Sequence, residues 1–234
     1  SKAIIITGSS RGLGAAAARI VAHSNAQVAL AARSGKKLRE LADEIQRNGG
    51  TALPIEADLT DEKSCAEVVQ RTVAAFGQID SLVNNAGVIE PIAPLSKADL
   101  RTWDLNIRIN LLAPVRLTAM ALPHLRRARG RVINISSGAA IHATPGWGAY
   151  CSSKAALNHF TRVLSVEEPE ITAIAFRPGV VDTAMQAKIR LDGRAGMPAE
   201  AHARFLGYNA RGELLPPERP GRALAALALH ADES

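Results

Sequence analysis

The chain has 234 residues, of which 47% are hydrophobic and 21% are charged, so it holds enough apolar material for one large core. No apolar run is long enough to span a membrane, and the composition is not that of a disordered chain. The formal net charge of +6 could indicate nucleic-acid binding, but the basic residues are dispersed and only four Phe, two Tyr and two Trp are available for stacking. A positive field that attracts an anionic cofactor explains the charge better, so we expect neither a nucleic-acid nor a membrane partner.

The spacing of cysteines and histidines supports neither a disulfide framework nor a metal site. Cys65 and Cys151 are the two cysteines, and neither lies in a CxxC motif or a Cys/His cluster. The six histidines show no HxxxH or HExxH spacing. The apolar stretch at residues 3–6 is too short for a signal peptide and indicates a buried strand. We therefore expect a cytoplasmic protein without a metal cofactor.

Apolar, β-branched runs alternate with longer amphipathic stretches along the chain. This pattern is typical of a parallel sheet covered by helices on both faces. Six strands are predicted, over residues 3–7, 27–32, 52–56, 81–84, 130–136 and 171–177. Helices are predicted to begin near Gly12, Lys36, Asp61, Lys97 and Gly148. Right-handed crossovers would wind these elements into a single-domain α/β protein, residues 1–234, with a Rossmann-type, doubly wound sheet.

The segment 182–220 differs from the rest of the chain because it is rich in Gly, Pro, Ala and Arg. It has one break at residues 193–198 and another at residues 215–217. A long irregular insertion in a compact domain is usually functional or mobile, so we expect this segment to be a substrate lid. A final helix is predicted over residues 219–230.

Three glycines follow the first predicted strand with the spacing GxxxGxG, namely Gly8, Gly12 and Gly14. Glycine permits a tight turn and lets backbone N–H groups approach a pyrophosphate at the N-terminus of the next helix. In isolation, a glycine-rich turn could be only a turn. Its position after the first strand of an alternating α/β pattern favours a dinucleotide site.

The residues after the second strand indicate which dinucleotide binds. An NAD site normally offers a carboxylate here to the adenosine ribose, whereas this chain has Ala32 followed by Arg33. Guanidinium groups suit phosphate geometry, so Arg33 and Arg11 predict NADP(H), which carries a 2′-phosphate. The alternative is that both arginines are solvated surface charges.

Asp58 and Leu59 follow the third strand, where a side-chain acceptor could meet the adenine amine. The alternative for Asp58 is that it caps the next helix, a role that Thr60 or Asp61 could equally fill. From the sequence, both interpretations stay open.

Tyr150 and Lys154 are four residues apart, which places them on one face of a predicted helix. Such a pair usually lies on a solvent-exposed helix face. Here, however, the pair follows a buried-strand pattern that ends in the hydroxyl of Ser137. Reduction of a ketone needs a hydride on carbon and a proton on oxygen, and a lysine ammonium near the phenol would stabilise the phenolate. Ser137 would hold the carbonyl oxygen, and Asn110 could complete a proton path through water to Lys154.

With these residues together, the chain resembles a short-chain dehydrogenase/reductase with an Asn-Ser-Tyr-Lys tetrad. The resemblance covers nearly the whole chain. It implies a cofactor site that also includes Ser10, Leu13, Asn85, Ala86, Gly87, Pro178, Gly179, Val181 and Thr183. By the same resemblance, Lys154 binds the nicotinamide ribose, and Val181 and Thr183 contact the carboxamide. The alternative for residues 84–87 is a plain turn that ends a strand.

The residues around Tyr150 and the later stretch 181–186 are similar to the sepiapterin reductase and benzil reductase branch of the family. That branch reduces α-dicarbonyl or aryl ketone substrates with NADPH, which implies a partly apolar pocket. The pocket candidates are Ser137, Ala139, His142, Trp147, Tyr150, Val180, Met185 and Glu90. Ordinary packing or a subunit contact is the alternative for Trp147 and Met185, and His142 fits a loop residue better than a second acid.

The sequence therefore predicts an NADPH-dependent carbonyl reductase. Two alternatives stay open: an NADP-dependent alcohol dehydrogenase that works oxidatively, and a non-catalytic NADP-binding regulatory protein. The resemblance also implies a homodimer or homotetramer assembled through the helix that carries Tyr150. It implies a seventh strand and a tail after the last helix, whereas the sequence ends at Ser234.

Overall fold

The computed structural model describes residues 1–229, which form one sheet of six parallel strands with helices on both sides. The strand order is β3-β2-β1-β4-β5-β6. The strands are β1 Ala3–Thr7, β2 Gln27–Ala32, β3 Thr51–Glu56, β4 Ser81–Asn84, β5 Arg131–Ile135 and β6 Thr172–Phe176. Every predicted strand is confirmed, and each end lies within one residue of its predicted position.

Helices connect the strands and continue after the last one. They are α1 Gly12–His23, α2 Gly35–Arg47, α3 Glu62–Phe76, α4 Leu100–Ile107, α5 Ala113–Ala128, α6 Gly148–Glu167, α7 Ala184–Gly196, α8 Ala199–Ala210 and α9 Glu218–Leu229. The predicted starts of α1 and α6 are confirmed, and those of α2, α3 and α9 are displaced by one residue. The predicted end of the final helix, at residue 230, and the tail after it lie outside the described residues.

The region predicted as one helix from Lys97 is divided, which corrects the prediction. Lys97 lies in a short 3-10 turn, Leu95–Lys97. Helix α4 begins only after Asp99, whose side chain accepts hydrogen bonds from the backbone N–H groups of Arg101 at 3.2 Å and Thr102 at 3.1 Å. A π-helical turn, Arg108–Leu112, then joins α4 to α5. Such turns are frequent at functional sites, and this one carries Asn110.

The segment 182–220 is mostly helical and not irregular, which is a second correction. Helices α7 and α8 fill most of it, and the break between them falls at Met197 and Pro198. The glycines that suggested an irregular segment have a packing role instead. A Cβ built on Gly196 would lie 1.8 Å from the Ile92 carbonyl oxygen, so glycine lets the end of α7 pack against another backbone segment. The second predicted break, at residues 215–217, precedes α9.

Hydrophobic cores cover both faces of the sheet. Helices α1, α2 and α9 pack on one face, and helices α3, α5 and α6 pack on the other. Ile4, Ile5 and Ile6 of β1 are all 0% exposed because alternate side chains enter opposite cores. A central parallel strand therefore has a continuous apolar sequence, which is the pattern that made it predictable.

The strand order places a crevice beside β1. Strands β2 and β3 continue the sheet on one side of β1, and β4, β5 and β6 continue it on the other. The chain therefore reverses its winding direction between β1 and β4. In open α/β sheets, ligands bind at the carboxyl ends of the strands at this switch point.

Candidate active site

A cleft of about 1370 Å³ lies at the carboxyl ends of the strands. It is lined by residues that follow each of the six strands. The predicted residues that line it are Gly8, Ser10, Arg11, Gly12, Leu13, Arg33, Asp58, Leu59, Asn85, Ala86, Gly87, Glu90, Ser137, Ala139, His142, Trp147, Tyr150, Lys154, Pro178, Gly179, Val180, Val181, Thr183 and Met185. Of the other predicted residues, Gly14 and Asn110 are buried next to the cleft without lining it.

The glycine turn between β1 and α1 requires its glycines for two reasons. Gly8 and Gly12 have φ values of +65° and +57°, a backbone conformation that residues with a side chain rarely adopt. Gly14 has ordinary backbone geometry, but a Cβ there would lie 2.5 Å from Asn85 Nδ2 and 2.7 Å from the Gly8 carbonyl oxygen. Glycine at this position therefore lets α1 pack closely against the turn.

Hydrogen bonds fix the glycine turn to the end of β4. The Thr7 hydroxyl oxygen accepts from the backbone N–H groups of Asn85 and Ala86, each at 3.0 Å. In return, Asn85 Nδ2 donates to the carbonyl oxygens of Thr7 at 2.8 Å and Gly8 at 3.2 Å. Residues 84–87 are therefore more than a turn that ends a strand, because they hold the two sides of the crevice in register.

Basic side chains surround the end of the cleft next to β2. Arg11 and Arg33 are both exposed and both line the cleft, and Ala32 stands where a carboxylate would be. Lys37 of α2 also lines this end, and sequence reasoning missed it. Its position in the first turn of the helix that follows Arg33 was the available signal.

Asp58 does not cap the following helix. Asp61 does so, because its side chain accepts from the Ser64 backbone N–H at 2.9 Å. Asp58 Oδ1 accepts from the backbone N–H of Thr60 at 3.0 Å and from its hydroxyl at 2.8 Å. These bonds orient Asp58 at the cleft wall, which removes the capping alternative that the sequence left open.

Tyr150 and Lys154 lie on the first turns of α6 and are 8% and 3% exposed. The Lys154 ammonium lies 5.8 Å from the centre of the Tyr150 ring and donates to the Ile135 carbonyl oxygen at 2.7 Å. Burial raises the pKa of Tyr150 to about 12, partly offset by a hydrogen bond with Ser137. Burial lowers the pKa of Lys154 to about 8.

Ser137 follows β5 and faces Tyr150. Its hydroxyl oxygen accepts from the Ala139 backbone N–H at 3.2 Å at the start of a short 3-10 turn, Gly138–Ala140. The interaction of this hydroxyl with Tyr150 partly offsets the rise in the Tyr150 pKa that burial causes. The two hydroxyls therefore lie close to each other at the wall of the cleft.

Asn110 belongs to a buried network behind the cleft wall. Its Oδ1 accepts from the Val88 backbone N–H at 2.9 Å, and its Nδ2 donates to the Val88 carbonyl oxygen at 2.8 Å and to Asn106 Oδ1 at 2.9 Å. Ser153 also donates to Asn106 Oδ1, at 3.0 Å. A Cβ built on Gly87 would lie 3.3 Å from Asn110 Oδ1 and 3.7 Å from Lys154 Nζ, so this glycine keeps a narrow gap open between them.

Asn106 and Ser153 were missed from the sequence, although both are 0% exposed. The i, i+4 spacing of Asn106 and Asn110 on one helix was the available signal. An asparagine pair with this spacing is usually solvent-exposed. Its role in a buried network therefore becomes visible only in the folded structure.

Aromatic side chains line the end of the cleft beyond Tyr150. The Trp147 ring lies edge-on to the Tyr150 ring, with centroids 5.7 Å apart, and packs against Phe205 at 4.9 Å. Phe205 and Tyr208 of α8 also line the cleft and were missed from the sequence. Phe205 and Tyr208 reach the cleft only because α8 packs over it, and no local sequence pattern indicated this packing.

Ionic contacts link α7 to the loop after β4. Lys188 Nζ lies 3.2 Å from Glu90 Oε1 and 2.9 Å from Asp192 Oδ2. Glu90 Oε2 also accepts from the Ile89 backbone N–H at 3.1 Å. The carboxylate of Glu90 at the cleft wall is therefore paired.

The described residues, 1–229, show neither a metal cluster nor a membrane-spanning helix. Within this range, no group of three or more His, Cys, Asp or Glu side chains could hold a metal ion. No helix in the same range is both long and apolar enough to cross a membrane.

A crevice at the switch point, a glycine turn at a helix N-terminus and a buried Tyr-Lys pair define a nucleotide-dependent oxidoreductase. The chain belongs to the family described as short chain dehydrogenase, which residues 2–193 match. Members of this family use a nicotinamide cofactor and act on hydroxyl or carbonyl groups.

Individual proteins are similar to nearly the whole chain. The benzil reductase ((S)-benzoin forming) of Bacillus cereus is 37% identical over 235 residues, which cover 96% of this chain and 92% of that protein. The crystal structure of the KRED1-Pglu enzyme is 38% identical, has a TM-score of 0.95, and the match covers 99% of this chain and 96% of that one. A metagenomic short-chain oxidoreductase in complex with NADP is 31% identical, with a TM-score of 0.80 and coverage of 100% and 93%.

Proposed function

We propose that the protein is an NADPH-dependent carbonyl reductase that acts on a ketone or an α-dicarbonyl compound. The convergence of the Tyr150 and Ser137 hydroxyls above the buried Lys154 ammonium carries this proposal. It creates one point where a carbonyl oxygen can accept two hydrogen bonds and then a proton.

In this mechanism, Ser137 donates a hydrogen bond to the carbonyl oxygen, and the bond strengthens as negative charge develops there. Tyr150 transfers its proton to that oxygen. The phenolate that remains is stabilised by the nearby Lys154 ammonium, because an opposite charge favours the ionised form. Both groups are buried, so their interaction is screened less by water than it would be at the surface.

Reprotonation of Tyr150 requires a route from solvent, and we assign this role to Lys154 and Asn110. Gly87 leaves a gap between the Asn110 oxygen and the Lys154 nitrogen, as its Cβ position shows. Asn110 is held in place by its two hydrogen bonds to Val88. A water molecule in the gap could accept from Lys154 and connect it to the asparagine.

We infer that NADPH binds along the cleft, which extends across the carboxyl ends of the strands. The pyrophosphate would lie against the turn at Gly8 and Gly12, where the absence of side chains lets backbone N–H groups at the start of α1 approach it. When bound, NADPH supplies the hydride that reduces the carbonyl carbon. Arg11, Arg33 and Lys37 would hold the 2′-phosphate. The remaining predicted cofactor residues, from Asp58 at the adenine to Thr183 at the carboxamide, would orient the two rings.

The substrate class follows from the aromatic end of the cleft and from one relative. Trp147, Phe205, Met185 and Ala139 give the space beyond Tyr150 an apolar lining. Aromatic side chains favour aryl substrates by stacking or edge-on contact. The similarity to a benzil reductase points to the same class, so we assign aryl ketones and α-diketones as substrates.

Cofactor choice and reduction can be tested together with benzil as the substrate. We expect wild-type protein to oxidise NADPH much faster than NADH and to release benzoin. The double change Ala32→Asp and Arg33→Ala should lower kcat/KM for NADPH by about 10- to 100-fold and raise it for NADH, because it exchanges a phosphate ligand for a ribose ligand. Initial rates followed by cofactor absorbance measure both constants.

Arg47→Ala is the matched control, because Arg47 ends α2 on the exposed side and does not line the cleft. It should leave the preference for NADPH unchanged. A double variant with wild-type cofactor preference would contradict the role given to Arg33. Wild-type protein that leaves NADPH unoxidised with benzil would contradict the proposed reduction.

A further inference from the structure

Trp147 carries a hydrogen-bond donor that has no partner. The residue is 6% exposed, and its indole Nε1 is buried without a hydrogen-bond acceptor among the described residues. Buried tryptophan N–H groups usually have a partner, since an unpaired buried donor is costly. This one lies at the wall of the cleft, in the ring next to Tyr150.

The surroundings of the indole allow a ligand to reach it. Phe205 of α8 covers Trp147, with ring centroids 4.9 Å apart and planes inclined by 33°. Helix α8 packs chiefly against α7 and contacts the start of α6 through Phe205 and Trp147. A displacement of Phe205 by a bound ring would open this aromatic cluster to the cleft and leave intact the two cores that cover the sheet, to which Phe205 does not belong.

The proposed reaction supplies a suitable acceptor. A monoketone has one carbonyl oxygen, and that oxygen is occupied by Ser137 and Tyr150. An α-dicarbonyl compound carries a second oxygen on the adjacent carbon, close to the first. The Trp147 ring lies 5.7 Å from the Tyr150 ring, centroid to centroid, and its N–H is a buried donor without a partner, which makes it a candidate to bind that second oxygen.

We propose that Trp147 is a specificity-determining residue whose indole N–H binds the second, unreacting oxygen of an α-dicarbonyl substrate. This inference rests on the proposed carbonyl reduction. It narrows the substrate class to compounds with two adjacent oxygens. An α-dicarbonyl compound gives this unpaired donor an acceptor and a monoketone does not, so the site favours the α-dicarbonyl compound by the hydrogen bond that it gains.

A matched pair of substrates tests the proposal. 1-Phenyl-1,2-propanedione and propiophenone share one carbon skeleton and differ in the second oxygen. We expect Trp147→Phe, which keeps an aromatic ring and removes the N–H, to lower the ratio of kcat/KM for the dione to kcat/KM for the monoketone by about three- to tenfold. Trp103→Phe is the control, since Trp103 packs against Gly148 at the same end of α6 but outside the cleft.

The indole resonance gives a second measurement that uses wild-type protein. The chain has two tryptophans, so a nitrogen-15 spectrum contains two indole N–H signals, which Trp103→Phe distinguishes. In protein saturated with NADP⁺, the dione should move the Trp147 signal downfield, as a new hydrogen bond requires, and propiophenone should not. This arm remains decisive if Trp147→Phe does not fold.

An unchanged substrate ratio in Trp147→Phe would overturn the proposal, as would a Trp147 signal that responds equally to both ketones. A wild-type enzyme that consumes NADPH with neither ketone would refute the proposed function instead. In that case, the indole signal still decides whether the N–H binds the dione.

Discussion

Lys154 is a cationic side chain buried away from any carboxylate of the described residues. Burial disfavours its charged form and lowers its pKa from 10.5 to about 8. Burial of Tyr150 raises the phenol pKa for the same reason, because the neutral form is preferred. Near neutral pH, the free protein therefore holds an ammonium next to a protonated phenol, which is the combination that carbonyl reduction requires.

These pKa values predict a decline of reduction at alkaline pH. We expect kcat/KM for NADPH, which reports the free enzyme, to fall as the pH rises through about 8. Above this pH, Lys154 is neutral and no longer stabilises the phenolate, whereas Tyr150, with a pKa of about 12, remains protonated. Initial rates of benzil reduction between about pH 6.5 and 10 measure the midpoint.

Lys37→Gln is the control for this pH profile, because it removes an exposed lysine at the other end of the cleft. It should lower affinity for NADPH and keep the same midpoint. A wild-type profile that is flat through pH 8 to 10 would show that the charge of Lys154 does not limit the reaction.

At the scale of elements, the joined helices α4 and α5 connect the site to the sheet. Asn106 Nδ2 donates to the carbonyl oxygens of Val88 at 3.1 Å and Glu90 at 2.7 Å, and its Oδ1 accepts from Asn110 and Ser153. One side chain therefore connects α4, the π-helical turn, α6 and the loop after β4. Without it, several buried polar groups would lose a partner at once.

Asn106→Ala should lower the free energy of unfolding by about 2–3 kcal/mol, because unpaired buried polar groups are costly. Urea denaturation measures this loss. Asn209→Ala, at an exposed position of α8, is the matched control and should change the free energy by less than about 0.5 kcal/mol. Equal effects in the two variants would contradict the role of Asn106.

The elements differ in how well their sequences predict them. The strands have apolar runs whose burial on both faces leaves a clear pattern, so all six were located to within one residue. The segment that contains α7 and α8 is rich in Gly, Pro, Ala and Arg, and this composition suggested an irregular segment. Gly193 and Gly196 are retained inside α7 because neighbouring groups leave no room for a Cβ, which is a tertiary effect.

At the scale of the molecule, the cleft was predictable because the carboxyl ends of parallel strands meet at one edge of the sheet. Motif residues distant in sequence, such as Gly8, Ser137 and Thr183, were therefore expected to converge. Lys37, Asn106 and Phe205 carry no motif, so their positions depend on the folded chain. That α8 lies over the cleft fits the predicted substrate lid, but its movement stays a prediction.

The assembly and location of the protein also stay predictions. Val163 and Val166 of α6 are 39% and 80% exposed, which fits the predicted homodimer or homotetramer through the helix that carries Tyr150.

The most direct test of the mechanism is Tyr150→Phe, which removes the proton donor and keeps the ring. We expect turnover of benzil to fall by at least about 10²-fold while the Kd of NADPH, measured by fluorescence titration, stays within about twofold. Tyr208→Phe, at the other tyrosine of the chain, should retain most of the turnover. Wild-type turnover in Tyr150→Phe would contradict the assignment of Tyr150 as the acid and, with it, the mechanism proposed for this protein.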